Sequence, residues 1–341
     1  MKIALLMPIT LSELQPLFNN QKIPYGYPYP LFVPLIYDYI ERGHEIVLCT
    51  LDQKSRKSTT LVGEKITLFA AGTLPKAKIR AAVNFEYEIR QIVSFLKKNP
   101  CDIYHAHWEY DFAQAALRVS RKNSIITIHD WPDKINKFHN DFYWNRRCEL
   151  GRKTLRQGEH FSTVSPYMAE NMKQFFPEKE VKVIPNFIND LKYKYSKTSE
   201  IKCVAINSGY NEMKNVNKLI EAYAILRKKI KGDIVLQLIG SGYEKNGLAE
   251  RWAKENNMAE GIEFIGILPY EETIKILSGA SIFVHPSREE SFGMVLLEAM
   301  KCKVPIVAGK NSGAVPWILE SGRSGELVDI ERPESIANAI L

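Results

Sequence analysis

Two glutamates, Glu290 and Glu298, lie on either side of a small-residue turn in HPSREESFGMVLLEAM (285–300). An apolar run precedes this segment and a helical pattern follows Gly293, so the sequence predicts a strand, a polar loop, a glycine and a helix. Amides at a helix N-terminus attract an anion, and glycine lets that anion approach the backbone. The carboxylates cannot bind phosphate but accept hydrogen bonds from hydroxyl groups. We therefore expect a phosphate site flanked by two hydroxyl acceptors, the arrangement that a nucleotide sugar needs.

Glu298 has a second interpretation, because a glutamate on a helix is usually a solvated surface residue. Its apolar neighbours in GMVLLEAM oppose that interpretation. A carboxylate in an apolar run needs a partner, and a pair of ribose hydroxyls could supply one. We expect Ser291 to cap the helix that carries Glu298.

Lys214 follows a predicted strand and precedes a long helical pattern in NSGYNEMKNVNKLIEAY (207–223). A lysine in this position can act as a point charge on a diphosphate, although the residue taken alone is more ordinarily a solvated lysine at a helix start. The glycine loops at 239–243 and 309–316 leave room for a ligand over the same sheet. The lone Gly-Ser-Gly does not extend to a dinucleotide-binding fingerprint.

Histidines end two predicted strands of the first half, His107 in YHAHWEY and His129 in TIHDWPD. Ligands of open α/β sheets bind at the carboxyl ends of strands, so such a histidine can hydrogen-bond a substrate hydroxyl or phosphate. We expect this role for His129 rather than His107. The spacing of the two histidines and Asp130 matches no standard ligand pattern, so no metal is predicted.

Short β-branched runs alternate with helical patterns in two halves, which predicts an α/β fold with two parallel-sheet domains, at 1–190 and 200–341. The polar, lysine-rich segment 187–202 predicts a linker, and we expect the sheets to face across a ligand-binding cleft. The chain ends inside the amphipathic PESIANAIL without a helix stop signal, so we expect the second domain to be truncated at its C-terminus.

The predicted strands are at 2–7, 45–50, 65–70, 102–107, 124–129, 161–165, 181–186, 202–207, 233–240, 262–266, 281–286 and 304–309. The predicted helices are near 31–42, 86–98, 112–121, 146–157, 166–176, 216–230, 244–256, 271–279, 292–301, 314–321 and from 333 on.

Composition narrows the function classes. Five separated cysteines without metal spacing predict reduced thiols and a cytoplasmic location. The sequence has no apolar window of the ~20 residues that span a bilayer. The net charge is +7, with basic clusters at 75–80, 118–124 and 144–156, which suits an anionic membrane surface or simply a solvated face. No aromatic-interleaved RNA motif or zinc finger is present, so we expect no nucleic-acid partner.

The glutamates and their surroundings resemble the E-x7-E motif of the retaining GT-B glycosyltransferases of family 4. The spacing, the Phe292-Gly293 pair and the downstream VPIVAG agree together, and the resemblance runs through essentially the whole chain. It implies the GT-B fold, in which two Rossmann-like domains bind the acceptor and the nucleotide-sugar donor respectively.

The resemblance also implies residue roles. Glu290 would contact the donor hexose, Glu298 the ribose, Lys214 and the backbone at 292–294 the diphosphate, and the loop around Leu268 the base. His129 matches the family's active-site histidine, and Ser165 a serine at a strand end. The catalytic residues so implied are His129, Lys214 and Glu290. The donor-binding residues so implied are Gly26, Ser208, Gly209, Lys214, Gly266, Leu268, Glu290, Ser291, Phe292, Gly293, Met294 and Glu298.

Two positions depart from the family pattern. Ser208 stands where an arginine often pairs with the lysine on the diphosphate, and Gly26 lacks the usual second glycine of the first loop. A further cation, or the backbone of the loop, must replace the arginine, or phosphate binding is weaker.

The resemblance implies hexosyl transfer from a nucleoside diphosphate sugar to an acceptor hydroxyl with retention, the leaving phosphate oxygen taking the acceptor proton. The sequence has no D-x-D, so we expect Lys214 and a helix N-terminus to replace a metal, with no cofactor besides the donor. Two alternatives stay open: a GT-B nucleotide-sugar epimerase, and a non-catalytic nucleotide-sugar-binding subunit, which the serine at position 208 favours.

The acceptor side is less defined. Aromatic residues at 24–32 and 131–144 could stack on sugar rings or pack the domain. Together with the basic clusters they suggest a glycan or lipid-linked acceptor at the inner membrane face.

Overall fold

The chain divides into two units, Met1–Phe187 and Ile188–Leu341. The computed structural model describes residues 1–27, 29–188, 201–230 and 232–341. The predicted linker at 187–202 therefore lies, from residue 189 to residue 200, outside the described residues.

In the described part of the first unit, parallel strands alternate with helices. The strands are β1 Lys2–Leu6, β2 Ile9–Thr10, β3 Gly26–Tyr27, β4 Glu45–Asp52, β5 Thr59–Val62, β6 Ile66–Gly72, β7 Ile103–His107, β8 Ser124–Ile128, β9 His160–Thr163 and β10 Val181–Val183. The α-helices are α1 Val33–Glu41, α2 Ala77–Ala82, α3 Glu86–Lys98, α4 Asp111–Val119, α5 Pro132–Phe138, α6 Phe142–Gln157 and α7 Pro166–Phe175, with 3-10 turns at Ser12–Phe18 and Pro30–Phe32.

The main sheet of this unit has the strand order β10-β9-β8-β7-β1-β4-β6-β5. Every neighbouring pair is parallel except β5 and β6. The central strand β1 is almost entirely buried because helices cover both faces, which is why it consists of a continuous apolar run. Since its neighbours β7 and β4 run in the same direction, the loops that follow these strands all emerge at one edge of the sheet.

The described second unit repeats this architecture at smaller size. Its strands are β11 Ile201–Ile206, β12 Ile234–Ile239, β13 Ile262–Gly266, β14 Ile282–His285, β15 Ile306–Gly309 and β16 Glu326–Val328. Its α-helices are α8 Val216–Lys229, α9 Leu248–Glu255, α10 Tyr270–Ser278, α11 Met294–Lys301, α12 Val315–Ile318 and α13 Pro333–Ile340, with 3-10 turns at Glu212–Lys214 and Glu320–Gly322. The sheet order is β13-β12-β11-β14-β15-β16, and all pairs are parallel.

The core of this unit lies between β11, β12 and the apolar face of α8. Leu219, Leu226, Leu236 and Leu238 are fully buried there, and α13 packs on the same helix. Truncating one of these leucines to alanine would cost about 2–5 kcal/mol of unfolding free energy, because close packing leaves a cavity. The core therefore fixes β11, whose carboxyl end leads into the loop of Lys214.

The predicted α/β fold is confirmed, and each predicted strand corresponds to a strand of the structure. The sequence missed the two-residue strands β2 and β3, and also β5 and β16, which are short, partly exposed edge strands with little apolar pattern. It also missed α2 and α5, and the segment 131–144, predicted as an aromatic loop, contains α5 and the start of α6. Among the described residues, no helix combines the length and apolarity that crossing a membrane requires.

Candidate functional site

The loops that follow β11 and β14 meet at the carboxyl edge of the second sheet, because these two strands are parallel neighbours. The backbone amide of Arg288 donates to the carbonyl of Met213 at 2.8 Å. The Arg288 guanidinium donates to the Glu212 carbonyl at 2.6 Å and to both carboxylate oxygens of Glu331, at 2.7 and 2.8 Å. Arg288 thus ties the two loops together and fixes the side chains that follow.

Lys214 and Glu290 form an ion pair at this junction. The Lys214 Nζ lies 2.7 Å from Glu290 Oε1, and the two side chains are only 12% and 16% exposed. Asn211 fixes the backbone of the lysine, since its side chain caps the turn Glu212–Lys214 and accepts a hydrogen bond from the Lys214 amide at 3.1 Å. The structure therefore brings together two predicted residues that are far apart in sequence.

The charge state of Glu290 follows from its neighbours. Burial alone raises the pKa of its carboxyl, but the Lys214 ammonium and the His285 ring outweigh burial and hold the pKa well below its usual range. Glu290 is therefore ionised at neutral pH. An ionised carboxylate accepts hydrogen bonds and cannot serve as a general acid, which agrees with a hydroxyl-binding role.

His285 is a residue that the sequence analysis missed. It ends β14, is 2% exposed, and its Nε2 lies 3.2 Å from Glu290 Oε1 without the alignment of a hydrogen bond. Neither ring nitrogen has a hydrogen-bond partner in the part of the chain that the structure describes. The signal was present, because a histidine at the carboxyl end of a buried strand is the pattern that singled out His129.

Gly293 begins the helix that carries Glu298. It is the N-cap of α11 with φ +89°, a left-handed conformation that favours glycine, so Ser291 is not the cap and that expectation was wrong. A serine caps a helix from the position immediately before the first helical residue, and here that position is Gly293. The neighbouring Phe292 is buried, its ring 6.1 Å from that of Trp317, so only its backbone is available to a ligand. The N-terminus of α11 therefore lies four residues after Glu290 in the chain.

Glu298 lies further along α11 and is partly buried. Burial raises the pKa of its carboxyl, which the nearby Tyr270 hydroxyl partly offsets, and burial together with Glu298 raises the pKa of Tyr270. Tyr270 begins α10, two residues after Leu268, and Gly266 ends β13 just before. The loop predicted to meet the base therefore leads into α10, which packs against α11, the helix of Glu298.

Ser208 and Gly209 lie in the loop after β11, beside the lysine turn. Ser208 is exposed, and the carbonyl of Gly209 accepts a hydrogen bond from the buried Tyr243 at 2.8 Å. The base of the loop is tied to the β14 loop, where the Ser287 hydroxyl donates to the Asn207 side chain at 3.4 Å. Residues 207–213 contain no lysine or arginine, so within this loop only Lys214 or the backbone could take the place of the arginine expected at position 208.

Gly26 and His129 lie in the first unit. Gly26, at φ +74°, belongs to the short antiparallel ribbon of β2 and β3, and a Cβ there would lie 2.7 Å from Leu11. His129 follows β8, is 4% exposed, stacks on Trp108 at 4.2 Å, and shares a 3.0 Å hydrogen bond with His107. Burial, with a smaller contribution from His105, lowers the pKa of His129 to about 3, so its ring is neutral. Ser165 caps α7, accepting from the Met168 amide.

Comparison with known proteins now identifies the family. A family model described as Glycosyltransferase Family 4 matches residues 35–190, and a second, Glycosyl transferases group 1, matches residues 188–341. The chain belongs to glycosyltransferase family 4. Among curated relatives of this family 4 chain, N-acetyl-α-D-glucosaminyl L-malate synthase of Bacillus anthracis is 24% identical over 252 residues, covering 70% of this chain and 64% of the relative. The chain thus spans less than two thirds of that relative's length.

Solved structures agree with the family 4 assignment at the level of the fold. Sucrose-phosphate synthase from Thermosynechococcus elongatus matches with a TM-score of 0.76 and 15% identity, over 99% of this chain and 88% of that one. Anabaena HepE in complex with UDP-glucose matches with a TM-score of 0.68 and 17% identity, over 100% of this chain and 88% of that one. The two parallel-sheet domains are those of the GT-B fold.

The ion pair of this family 4 chain predicts a specific stability pattern. Lys214→Met leaves the Glu290 carboxylate partly buried without its cation, so we expect the free energy of unfolding at pH 7 to fall by about 3 kcal/mol. The double variant Lys214→Met/Glu290→Gln removes the unpaired charge and should recover most of that loss. Urea unfolding of all four combinations measures the coupling.

The loss of stability in Lys214→Met should also depend on pH. In the native chain the depressed pKa of Glu290 contributes stability that is present above the ordinary value of 4.5 and lost at lower pH. In Lys214→Met, burial without the cation raises that pKa, so the carboxyl protonates in mild acid and the deficit shrinks as the pH falls. A deficit that is independent of pH, or a double variant no better than Lys214→Met, would contradict the assigned pair.

Proposed function

We propose that this protein is a retaining glycosyltransferase that moves a hexosyl group from a nucleoside diphosphate sugar to a hydroxyl of a glycan or lipid-linked acceptor. The observation that carries the proposal is the Lys214–Glu290 pair beside the N-terminus of α11. Family membership supports a transferase, and the complex of HepE with UDP-glucose makes a UDP-hexose the first donor to test.

In this proposal Lys214 serves two groups at once. An ammonium has three N–H donors, so one can stay on Glu290 while the others reach the donor diphosphate. As the glycosidic bond breaks, negative charge develops on the leaving phosphate, and Lys214 with the amides of α11 stabilises it. This arrangement can act without a divalent cation, which is why we propose metal-independent transfer.

Glu290 then has a holding role. Its carboxylate is ionised and accepts hydrogen bonds, so it is proposed to bind donor hexose hydroxyls and to keep Lys214 in place, while Glu298 accepts from the ribose. His285, in contact with Glu290, is proposed to orient the carboxylate. The acceptor attacks the face from which the diphosphate leaves, and a phosphate oxygen takes the acceptor proton. His129, kept neutral by burial, is proposed to contribute a hydrogen bond rather than a charge.

Donor turnover tests this function. Lys214→Met and Glu290→Gln should each lower kcat by about 10²–10³-fold with UDP-hexose and a glycan acceptor, because each removes charge stabilisation or its positioning. Glu289→Gln, the adjacent carboxylate of the same loop, is the matched control and should change kcat little. The assay is run in chelator and with the acceptor omitted in one arm.

The arms of this assay separate the alternatives. Donor consumption that needs added acceptor supports transfer, whereas interconversion of the donor sugar without acceptor indicates an epimerase. Complete loss of turnover in chelator would contradict metal-independent transfer. Equal losses in the Glu290 and Glu289 variants would remove the special role of Glu290.

We also propose that the protein associates peripherally with a membrane, where a lipid-linked acceptor would lie. On α6, Lys153 and Arg156 are exposed, and Phe142 at the start of the same helix is 50% exposed. Arg147 belongs to the same basic cluster in the sequence but is only 14% exposed, so it cannot contribute to such a surface. Exposed basic residues and an exposed aromatic on one helix suit an anionic lipid surface.

Vesicle binding tests this surface. Vesicles that contain phosphatidylglycerol should sediment the protein more than pure phosphatidylcholine vesicles, and Lys153→Glu/Arg156→Glu should abolish the difference. The control is Lys97→Glu/Lys98→Glu, an equal charge change at the exposed end of α3. Equal sedimentation with both vesicle types, or equal loss in the control, would count against α6 as the contact.

A further inference from the structure

A cavity of about 200 Å³ lies in the first unit, where α6 covers the loops that follow β1, β7 and β8. Binding sites for drug-sized molecules measure roughly 300–1,000 Å³, so this cavity is too small for a nucleotide. A cavity below the usual range favours a small ligand, such as a single six-membered sugar ring.

The walls of the cavity are mainly aromatic. The rings that line it are Tyr27, Tyr29, Trp108, Phe112, Tyr143 and Trp144. Tyr29 and Trp108 meet edge to face, with ring centroids 5.1 Å apart, and so do Tyr143 and Trp144, at 5.6 Å. Aromatic faces present broad apolar surfaces, which suit the C–H faces of a pyranose ring, while tyrosine hydroxyls can bind its polar edge.

Trp108 is held in place by an unusual backbone. Its φ is +67°, which is uncommon for a bulky residue, and its ring stacks on His129 at 4.2 Å. Such conformations persist where the surrounding structure enforces them and cluster at ligand sites. The wall that Trp108 forms is therefore fixed before any ligand arrives.

The charges around the cavity argue against an anionic ligand. Arg147 lies over the Tyr110 ring at 4.0 Å, and its Nη1 lies 3.9 Å from Asp111 Oδ1. Asp111 also accepts from Arg80 at 3.2 Å, and Arg80 donates to Glu88 at 2.9 Å. Of these charged groups only Asp111 and Arg147 line the cavity, together with Asp130, so one guanidinium and two carboxyl groups belong to its wall.

No excess of positive charge is thus available for a phosphate or a carboxylate. A neutral ring with several hydroxyls needs hydrogen-bond partners rather than an opposite charge. Asp111 and Asp130 offer acceptors, and Arg147 offers donors, for the hydroxyls at the ring edge. Aromatic faces combined with a few polar groups are the usual composition of a small-molecule site.

We propose that this cavity binds one neutral monosaccharide ring, the acceptor sugar or polyol to which the hexosyl group is transferred. The identification of the ring as the acceptor rests on the proposed function. The preference for a neutral ring rests on the cavity alone.

Direct binding to the full chain tests the preference. The probes are methyl α-D-glucopyranoside, its mannoside and galactoside counterparts and myo-inositol, with methyl α-D-glucuronoside as the charged counterpart of the first. Saturation-transfer NMR titrations without nucleotide should show saturable binding of at least one neutral probe. The glucuronoside should bind at least tenfold more weakly than the glucoside. Tighter binding of the glucuronoside, or no binding of any neutral probe, overturns the proposal.

Variants on α6 locate the binding. Trp144→Ala should weaken the neutral probe at least tenfold, and Trp144→Phe, which keeps an aromatic face, should retain most of the affinity. Phe142→Ala is the matched control, because Phe142 is an exposed aromatic two residues earlier on the same helix. Equal affinity in Trp144→Ala and the native chain, with the fold intact by circular dichroism, overturns the assignment to this cavity.

The two proposals fail in different ways. If donor turnover depends on Lys214 and Glu290 but no neutral sugar binds the first unit, the cavity inference is wrong and the proposed function stands. If neutral sugars bind through Trp144 but no nucleotide sugar is consumed, the proposed function is wrong and only the identification of the ring as an acceptor is lost.

Discussion

The ion pair between Lys214 and Glu290 is the interaction on which the candidate site depends. Each partner lies in a loop after a different parallel strand, and Arg288 ties these loops together. The pair keeps Glu290 ionised in a largely buried position, which an isolated carboxylate would not tolerate. It also keeps an ammonium group in the loop that faces the start of α11, and the N–H donors that Glu290 does not use are the ones we propose for the donor diphosphate.

The first unit repeats the parallel-sheet architecture, but histidines rather than an ion pair lie at the carboxyl ends of β7 and β8. There, His107 Nδ1 and His129 Nε2 form a hydrogen bond. Burial lowers the pKa of the neighbouring His105 to about 4, so that ring is neutral at pH 7. Beside them, arginines are balanced by carboxyl groups, and aromatic rings line the cavity. In our two proposals, the strand ends of the second unit bind the donor diphosphate and the cavity of the first unit binds the neutral acceptor ring.

Much of the fold could be predicted from the sequence because buried parallel strands are continuous apolar runs. Strands such as β1 and β14 are of this kind, whereas the edge strand β5 alternates in exposure and carries little signal. The proximity of Lys214 and Glu290 required the strand order, which places β11 beside β14 despite the long segment between them.

The aromatic segments around Tyr27 and Trp144 were predicted as an acceptor surface, and the cavity draws walls from both. The charged groups of the cavity could not be predicted from the sequence in this way. Asp111 and Arg147 face each other only because α4 and α6 pack together, and Arg147 appeared in the sequence as part of a basic surface cluster. His285, by contrast, could have been predicted from its strand-end position.

Thermal unfolding with a donor panel tests the central claim most directly. One of UDP-, GDP- or ADP-glucose should stabilise the native chain, by about 2.7 kcal/mol at one hundred times its Kd, and the double variant Lys214→Met/Glu290→Gln should lose that stabilisation. If no nucleoside diphosphate sugar stabilises the chain, or if the double variant is stabilised as strongly as the native protein, the Lys214–Glu290 pair is not the centre of a donor site.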